Sequence, residues 1–436
     1  IMSQPQQQTL FIDPSYNQSK FRSEFRLPKQ NGVYMSSLRL LNIGLSKASA
    51  DDRSYNELVG ALGVIDSIEC YSGSQLLDQV RNFSNYVALK NLLNSNSANQ
   101  SIHRPLKKNK LGYVATGLDA IDGGTGAVTL GVLQNNAVPD RFNTITAQTA
   151  TPQINCAWID LRDCLGFLRG TPYIPMNVYP DFRIVVNYKN SALADIVSDR
   201  TPTNYENVEP LMVCEYETDP ETADALMRSY QGHAFETVEH DSVQLLAAAP
   251  TVETVGDTQE QTYLVKGFND KYISKMVIIN TGTENSTWDA AGSNTSFSNQ
   301  GSVSQLDFGY QARVNGANMM ARTIYEGKNR RLAQMSDAWG SLNIAGGQNV
   351  CGVEGGGAIV FDSRIVDTVG EVDYTGFRID TVIKELKLTV QRSPVGGLTA
   401  TPTDNLELRQ ALNLNLYGIS RKRVIPSSSG IVIQYV

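Results

Sequence analysis

The two halves of this 436-residue chain present candidate strands and helices in the same order. Each half begins with a strand, continues into a second strand that ends near glycine, and then enters a helix with apolar residues at three- and four-residue steps. An apolar strand follows, and then a final strand with a hairpin partner. These elements are predicted at 38–45, 64–73, 76–93, 156–161, 182–188 and 211–216 in the first half, and at 273–279, 306–316, 330–342, 358–361, 385–390 and 406–417 in the second.

The repeated order predicts an all-β protein of two consecutive eight-stranded jelly-roll β-sandwiches, a double jelly roll, with short helices in connecting loops. Each half then has about 170–200 residues, a size at which β folds form single domains. Jelly rolls solve the problem of unpaired sheet edges by folding two sheets face to face. Only 19% of residues are charged, against roughly 25% in an average globular chain. This composition disfavours coiled coils and helical solenoids.

A strongly acidic stretch separates the halves. Residues 204–260 contain thirteen acidic residues and one basic residue, Arg228. Within it, Asp219 followed by Pro220 and Glu221 is typical of a helix N-terminus, which predicts a short helix at 220–230. We therefore divide the chain into an N-terminal arm at 1–30, a first jelly roll at 31–218, an acidic linker with a short helix at 219–262, and a second jelly roll at 263–436.

The N-terminal segment has the character of an arm. Its basic side chains outnumber the acidic ones, and aromatic residues lie between them: Phe11, Tyr16, Lys20, Phe21, Arg22, Phe25, Arg26 and Lys29. Such termini are usually poorly ordered without a partner, so removal of residues 1–30 should leave the protein folded. We predict contacts to a neighbouring molecule or an inner surface through Phe21, Arg22, Phe25 and Arg26. The alternative is an unstructured terminus without a partner.

Residues that often carry chemistry are few and scattered. The three histidines, His103, His233 and His240, have neither the HxH nor the HExxH spacing of a metal site. The five cysteines form no CxxC pair, which favours buried thiols in a reducing compartment over a zinc ribbon or disulfide framework. No stretch approaches 18 continuous apolar residues, so no transmembrane helix is expected.

Possible catalytic motifs have simpler explanations. The glycine-rich run at 122–126 lacks the Lys-Ser/Thr pair of a P-loop and is typical of a turn, and no GxSxG motif is present. Asp160 and Asp163 flank Arg162, so an ion pair explains these carboxylates without catalysis. We predict no catalytic residue, no cofactor and no metal site. The sequence therefore indicates a structural protein that is not an enzyme and acts through its surfaces.

Two stretches resemble a known family. GVIDSIECYSG at 63–73, followed by QLLDQV at 75–80 and Tyr86, looks like the strand, glycine and helix passage of the first jelly roll in double jelly-roll major capsid proteins. WIDLR at 158–162, continuing to Leu168 and followed by FRIVVNY at 182–188, is similar to late strands of that jelly roll. The family belongs to tailless icosahedral double-stranded DNA viruses of the adenovirus-type lineage, with virophage and polinton-like virus relatives.

The resemblance implies a major capsid protein of the virion, assembled inside the host cell. Three copies would form a pseudo-hexagonal capsomer, and capsomers would tile an icosahedral shell together with penton and minor or cement proteins. Loops at 95–100 and 280–301 would project outward. The N-terminal arm would contact neighbouring capsomers, the genome or an inner membrane, and no cofactor is implied.

Two other functions compete with this interpretation. The first is another β-sandwich virion component, a penton or spike protein, although a penton usually has one upright jelly roll rather than two. The second is a carbohydrate-binding or carbohydrate-cleaving protein with two β-sandwiches. Binding clefts of that kind favour exposed tryptophan and tyrosine; the chain has three tryptophans, Trp158, Trp288 and Trp339, and nineteen tyrosines.

Overall fold

The structure is a computed structural model of the chain. It describes residues 7–18, 21–47, 53–54, 60–94, 144–145, 156–189, 205–245, 259–282, 306–319, 373–394, 412–427 and 430–436.

The described residues form strands β1 to β24 and helices α1 to α3. The strands are β1 (Gln7–Ile12), β2 (Tyr16–Gln18), β3 (Arg22–Arg26), β4 (Val33–Met35), β5 (Arg39–Ile43), β6 (Leu45–Lys47), β7 (Arg53–Ser54), β8 (Ile65–Ser72), β9 (Gln75–Val80), β10 (Thr144–Ile145), β11 (Ala157–Asp160), β12 (Tyr173–Pro175), β13 (Phe182–Tyr188), β14 (Tyr205–Asn207), β15 (Leu211–Glu217), β16 (His233–Leu245), β17 (Gln259–Val265), β18 (Tyr272–Gly282), β19 (Leu306–Val314), β20 (Ala317–Asn318), β21 (Asp373–Val382), β22 (Leu386–Pro394), β23 (Leu412–Ser427) and β24 (Gly430–Tyr435). The helices are α1 (Phe83–Asn94), α2 (Gly166–Arg169) and α3 (Pro220–Ser229), and short 3-10 turns lie at Lys29–Asn31, Gly60–Val64 and Leu161–Asp163.

The strands up to β15 build a first sandwich. One sheet has the order β11, β5, β15, β4, β12, with β1 paired to β15, and the other has the order β2, β3, β13, β8, β9. Side chains from both sheets, such as Leu40 and Ile184, meet in one core. Strand β13 contributes one face to this core: Phe182, Ile184 and Val186 are buried, while Arg183, which points to the other face, is only partly buried.

The strands from β16 onward build a second sandwich. Its sheets have the orders β16, β23, β18, β21, with β24 paired to β23, and β17, β22, β19, β20. Its core contains side chains from both sheets, including Met276, Leu416, Tyr310 and Leu388. Along β22, the buried Leu386, Leu388 and Val390 alternate with exposed or partly buried residues, as a strand with one solvated face requires.

The second sandwich packs against the first through the sheet that contains β18 and β23. Met276 and Ile278 of β18 enter the second core, whereas Val277 between them belongs to the first. On β23, Tyr417 and Ile419 likewise join the first core. This sheet, the shared sheet, is therefore covered on both faces, and the two sandwiches form one continuous packed body.

The N-terminal segment differs from the predicted arm. Strand β1 pairs with β15, and β3 pairs with β13 from Arg22 opposite Asn187 to Arg26 opposite Arg183. Ser23 and Phe25 have no exposed surface. The aromatic and basic residues that indicated an arm alternate along β3, with the uncharged ones facing the core. The described part of the arm is consequently sheet.

The predicted helix at 76–93 is a strand followed by a helix. Strand β9 pairs with β8 around a tight turn, with Ser72 opposite Gln75, and Gly73 has a φ of 56°. Gly73-Ser74 is thus a hairpin turn between two strands, and the predicted helix does not begin here. Asn82 has a φ of 47° and separates β9 from α1. Leucine and valine spacing fits a strand and a helix equally well over so short a run.

The described parts of the predicted acidic linker, 219–245 and 259–262, are helix and strand. Helix α3 is confirmed, and the Asp219 side chain accepts a hydrogen bond from the Thr222 backbone N–H as predicted for its N-cap. Strand β16, however, pairs with β23 over its whole length, and β17 pairs with β22. Among the described acidic residues, Glu221, Asp224 and Glu260 are exposed, whereas Glu239 is buried against two lysines. These parts of the predicted linker therefore belong to the sheets of the second sandwich or to the helix before them.

Most other predicted strands agree with the structure. Strands β13, β15, β18 and β19 match their predicted ranges closely, while Val64, predicted to begin a strand, ends the 3-10 turn before β8. The helix at 330–342, the strand at 358–361, the loop at 95–100 and the glycine run at 122–126 lie outside the described residues, as do most of the loop at 280–301, His103, Trp288 and Trp339.

Candidate interaction surface

The four predicted contact residues have different positions in the structure. Phe25 is 0% exposed within its own chain, so it is a core residue and the predicted surface contact is wrong for it. Phe21 is 41% exposed. Arg22 and Arg26 project from the outer face of β3. A contact through these three side chains stays a prediction.

The two arginines of β3 surround Glu24 together with Arg183 of β13. The Glu24 carboxylate lies 2.8 Å from Arg26, 3.3 Å from Arg22 and 3.4 Å from Arg183. Burial acts to raise the pKa of Glu24, but the hydrogen bond from Arg26 and the three positive charges outweigh it and hold the pKa below its ordinary value. The arginines are thus partly neutralised, which makes this face polar rather than strongly basic.

Among the described strands, β1 forms an edge of the first sheet of the first sandwich. It pairs with β15 on one side, and none of the described strands pairs with its other side. Its sequence, QQTLFI, has neither charged residues nor proline, which are the usual protections of an edge strand. Phe11 on this strand is 62% exposed. The edge can therefore accept another chain through both backbone hydrogen bonds and an aromatic side chain.

Large apolar side chains are exposed on both sandwiches. They are Phe11, Tyr16 and Phe21 on the first and Leu264, Val382, Val432, Tyr435 and Val436 on the second. Exposed apolar patches on globular proteins often mark contacts with other proteins. Phe11 and Tyr16, at 62% and 51%, are more exposed than the predicted contact Phe21. The sequence signal was an aromatic residue in a strand, but alternation alone does not say which face is buried.

Cysteine, histidine and acidic residues of the described ranges are not grouped as in a metal site. Within the described ranges no three His, Cys, Asp or Glu side chains are grouped to hold a metal ion. Cys70, Cys156, Cys164 and Cys214 are buried free thiols. The predicted pairing of Asp160 with Arg162 is confirmed at 2.6 Å. No helix among the described residues is long and apolar enough to cross a membrane.

A groove of about 490 Å³ lies where α2 meets β16 and β23. Two of its three cationic side chains pair with carboxylates: Arg421 lies 3.3 Å from Glu236, and Lys422 lies 2.7 Å from Glu239. The third, Arg169, donates a hydrogen bond to the backbone oxygen of Arg162 at 3.1 Å.

A buried polar contact joins the sandwiches next to this groove. The Asp78 carboxylate on β9 accepts hydrogen bonds from the Phe167 backbone N–H at 2.9 Å and from the Thr237 hydroxyl on β16. Asn82 donates to Asn415 at 2.8 Å, and the Tyr417 hydroxyl donates to the Asn82 carbonyl at 3.1 Å. These bonds satisfy polar groups within an apolar contact and fix its register.

Comparison with known proteins finds likeness in structure only. No protein-family model matches the sequence, and no curated protein matches it. The solved structures that match include PBCV-1 VP54, as fitted into a reconstruction of the virophage Sputnik, with a TM-score of 0.56, 10% identity, and coverage of 100% of this chain and 98% of that chain. The cryo-EM structure of Sputnik virophage gives a TM-score of 0.51 at 10% identity, covering 100% of this chain and 90% of the other. The Faustovirus major capsid protein gives 0.50 at 8% identity, covering 98% and 91%.

The chain has the double jelly-roll fold. The match covers both sandwiches and both chains almost completely, so it concerns the order of the two units as well as each unit. The predicted fold class is confirmed. At identities of 10% or less, the likeness establishes the fold alone.

Proposed function

We propose that the chain is a major capsid protein that trimerises into pseudo-hexagonal capsomers and tiles an icosahedral virus shell. The observation that carries this proposal is the end-to-end match of both sandwiches to PBCV-1 VP54, since the same fold is part of the PBCV-1 virus capsid. The chain would then reside in the virion and assemble inside the host cell.

The exposed surfaces support self-association. A trimer of this chain would place six sandwiches around one axis, and closed symmetry would repeat each contact three times. Obligate interfaces are large and apolar, and exposed aromatic side chains such as Phe11 and Tyr16 are suited to them. A modest net charge of −7 favours contacts between shell proteins over packaging of nucleic acid by the whole surface.

Further partners follow from this role. Neighbouring capsomers, a penton and minor or cement proteins would bind the sides of the trimer. The N-terminal strands, through Phe21, Arg22 and Arg26, would contact a neighbour, the genome or an inner membrane. This role is structural, because the chain acts through its surfaces and requires neither a catalytic residue nor a cofactor.

Light scattering with negative-stain imaging of the same peak tests the proposal. We expect about three times the chain mass of 47.8 kDa and particles with a hexagonal outline. A monomer with two sandwiches and no tendency to associate at high concentration would contradict it. Glycan binding by such a monomer would favour the carbohydrate-binding alternative instead.

A pair of variants tests whether β1 takes part in the association. Phe11→Asp replaces the exposed aromatic side chain by a charge, and we expect it to weaken the trimer without unfolding the monomer. Thr9→Asp is the matched control, since it adds the same charge two residues away on the same exposed face. Equal trimer formation by wild type and Phe11→Asp would exclude Phe11 from the contact.

A further inference from the structure

Two of the three histidines of the chain lie in the contact between the sandwiches. Both belong to β16, the strand of the second sandwich that packs against α2 and β9 of the first. Each imidazole is partly buried and is hydrogen-bonded to neighbouring groups. The capsid role uses neither side chain, so their position requires another explanation.

The neutral form of His233 satisfies every polar atom around it. Its Nε2 lies 3.0 Å from the backbone oxygen of Phe167 in α2, and its Nδ1 lies 2.7 Å from the Tyr230 hydroxyl. A carbonyl oxygen only accepts, so Nε2 carries the proton and Nδ1 accepts from Tyr230. The Tyr230 oxygen, 2.5 Å from the hydroxyl of Tyr179, then accepts from Tyr179.

A second proton on His233 disrupts this chain of hydrogen bonds. With N–H groups on both ring nitrogens, Tyr230 loses its acceptor at Nδ1 and must accept from His233 instead. The Tyr230 proton then needs a new acceptor, and directing it at Tyr179 would require that residue, which has no exposed surface, to reorient its own hydroxyl. None of the described carboxylates pairs with the imidazole. The titratable and charged groups of the elements packed around it are Arg169, Tyr173, Tyr179, Tyr230, Asp78 of β9, and Arg421, Lys422 and Arg423 of β23.

His240 makes a similar contact seven residues further along β16. Its Nε2 lies 3.1 Å from the Asn415 side-chain oxygen, which also accepts from Asn82 of the first sandwich. The ring lies 4.9 Å from that of Tyr417. The charged groups around it are Asp66, Arg81 and Asp241. Because two of these are carboxylates, protonation of His240 costs less free energy than protonation of His233.

We propose that the contact between the two sandwiches is an acid-sensitive device, which loosens when His233, and to a smaller extent His240, takes up a proton. The chain thereby acquires a way to change its internal packing in mildly acidic surroundings. This property belongs to the single chain and does not depend on the shape of any shell.

The direction of the effect follows from the pKa values. Burial lowers the pKa of His233 from 6.5 to about 4 and also lowers that of His240. The opened state therefore binds protons that the packed state rejects, and stability falls as pH drops below about 6.5. Burial raises the pKa of Asp78, which acts in the opposite direction, and the lowered pKa of Glu239 acts only below its ordinary value of 4.5. Below pH 6.5 the two histidines therefore act to loosen the contact, and protonation of Asp78 offsets part of their effect.

Hydrogen–deuterium exchange of the full-length protein tests the proposal. For His233 alone, the pKa change predicts an opening equilibrium about 30-fold larger at pH 5 than at pH 7.5. We expect exchange, corrected for intrinsic rates, to rise in peptides that cover α2, the start of α1 and β16. In His233→Gln, which cannot titrate, this rise should shrink to a few-fold.

Substitutions of the other two histidines provide the control variants for His233→Gln. His240→Gln should reduce the rise by less than His233→Gln, and His103→Gln should leave it unchanged. An equal rise in wild type and in His233→Gln, or its loss in His103→Gln, would overturn the proposal. If His233→Gln does not fold, titration of the three imidazole Cε1–H signals in the wild type decides. A midpoint well below 6.5 for His233 supports the proposal, and a midpoint near 6.5 contradicts it.

Discussion

The sheet of the first sandwich that contains β3 and β13, termed the outer sheet, differs from the shared sheet of the second sandwich in what covers its two faces. In the outer sheet, β3 and β13 bury one face, and the other face carries Arg22, Glu24, Arg26 and Arg183 in an ion-pair cluster. In the shared sheet, apolar side chains of β18 and β23 fill one core on each face.

This difference shows how two similar sandwiches become one body. A sheet with one solvated face alternates apolar and polar residues, whereas a sheet that is buried on both faces has continuous apolar runs. Strand β18 contains such a run, Met276 to Ile279. Loss of packing in the shared sheet should therefore affect both sandwiches, and changes on the outer face of the first should remain local.

Removal of residues 1–30 is expected to have the largest effect. It deletes β1, β2 and β3, and with them Phe25 of the first core. We now expect loss of folding, visible as loss of the cooperative thermal transition in circular dichroism. Removal of residues 1–6 alone is the control, because it leaves all described strands in place. A folded 1–30 deletion variant would restore the prediction of an independent arm.

Tyr417→Ala should remove packing on one face of the shared sheet. Tyr417 is almost completely buried between the sandwiches, and the substitution should lower the free energy of unfolding by about 3–5 kcal/mol. The matched control is Tyr16→Ala in the first sandwich, where the exposed ring should account for less than about 0.5 kcal/mol. Urea denaturation measures both. Similar losses in the two variants would contradict the central position of the shared sheet.

Gly166→Ala tests how closely α2 approaches β16. A Cβ at Gly166 would lie 1.6 Å from the Glu236 backbone oxygen, so the helix must move away from the second sandwich. We expect a loss of about 1–3 kcal/mol. Gly73→Ala is the control for glycine conformation, since its φ is 56° and its Cβ would meet no atom; about 1 kcal/mol is expected there. Exchange protection in β16 should fall only in the first variant.

The smallest effect should come from the outer sheet. Glu24→Gln removes the negative charge between three arginines, and we expect a loss of about 1 kcal/mol at neutral pH. The lowered pKa of Glu24 means that its contribution is present above pH 4.5 and disappears as pH falls through its folded value. The stability of the variant should depend less on pH in that acidic range. Glu260→Gln, on an exposed position of β17, should match the wild type.

Several features could be predicted from local sequence. An apolar run predicted β13, alternating residues predicted β19, and the Asp219-Pro220 pair predicted the start of α3. These signals work because each depends on neighbours within a few positions. The extent of β9 could not be assigned in this way, since Leu76, Leu77 and Val80 suit either a strand or a helix and only pairing with β8 decides.

The amino-acid sequence by itself determined that the chain is a duplicated β protein, because strand periodicity and turn residues are local properties. Tertiary structure alone decided which faces are buried. It placed Phe25 in a core, left Phe11 exposed, and brought His233 and His240 of β16 against residues that lie 66 and 158 positions earlier. Burial and hydrogen bonding of this kind depend on which sheets meet in space, and the order of residues along one strand does not contain that information.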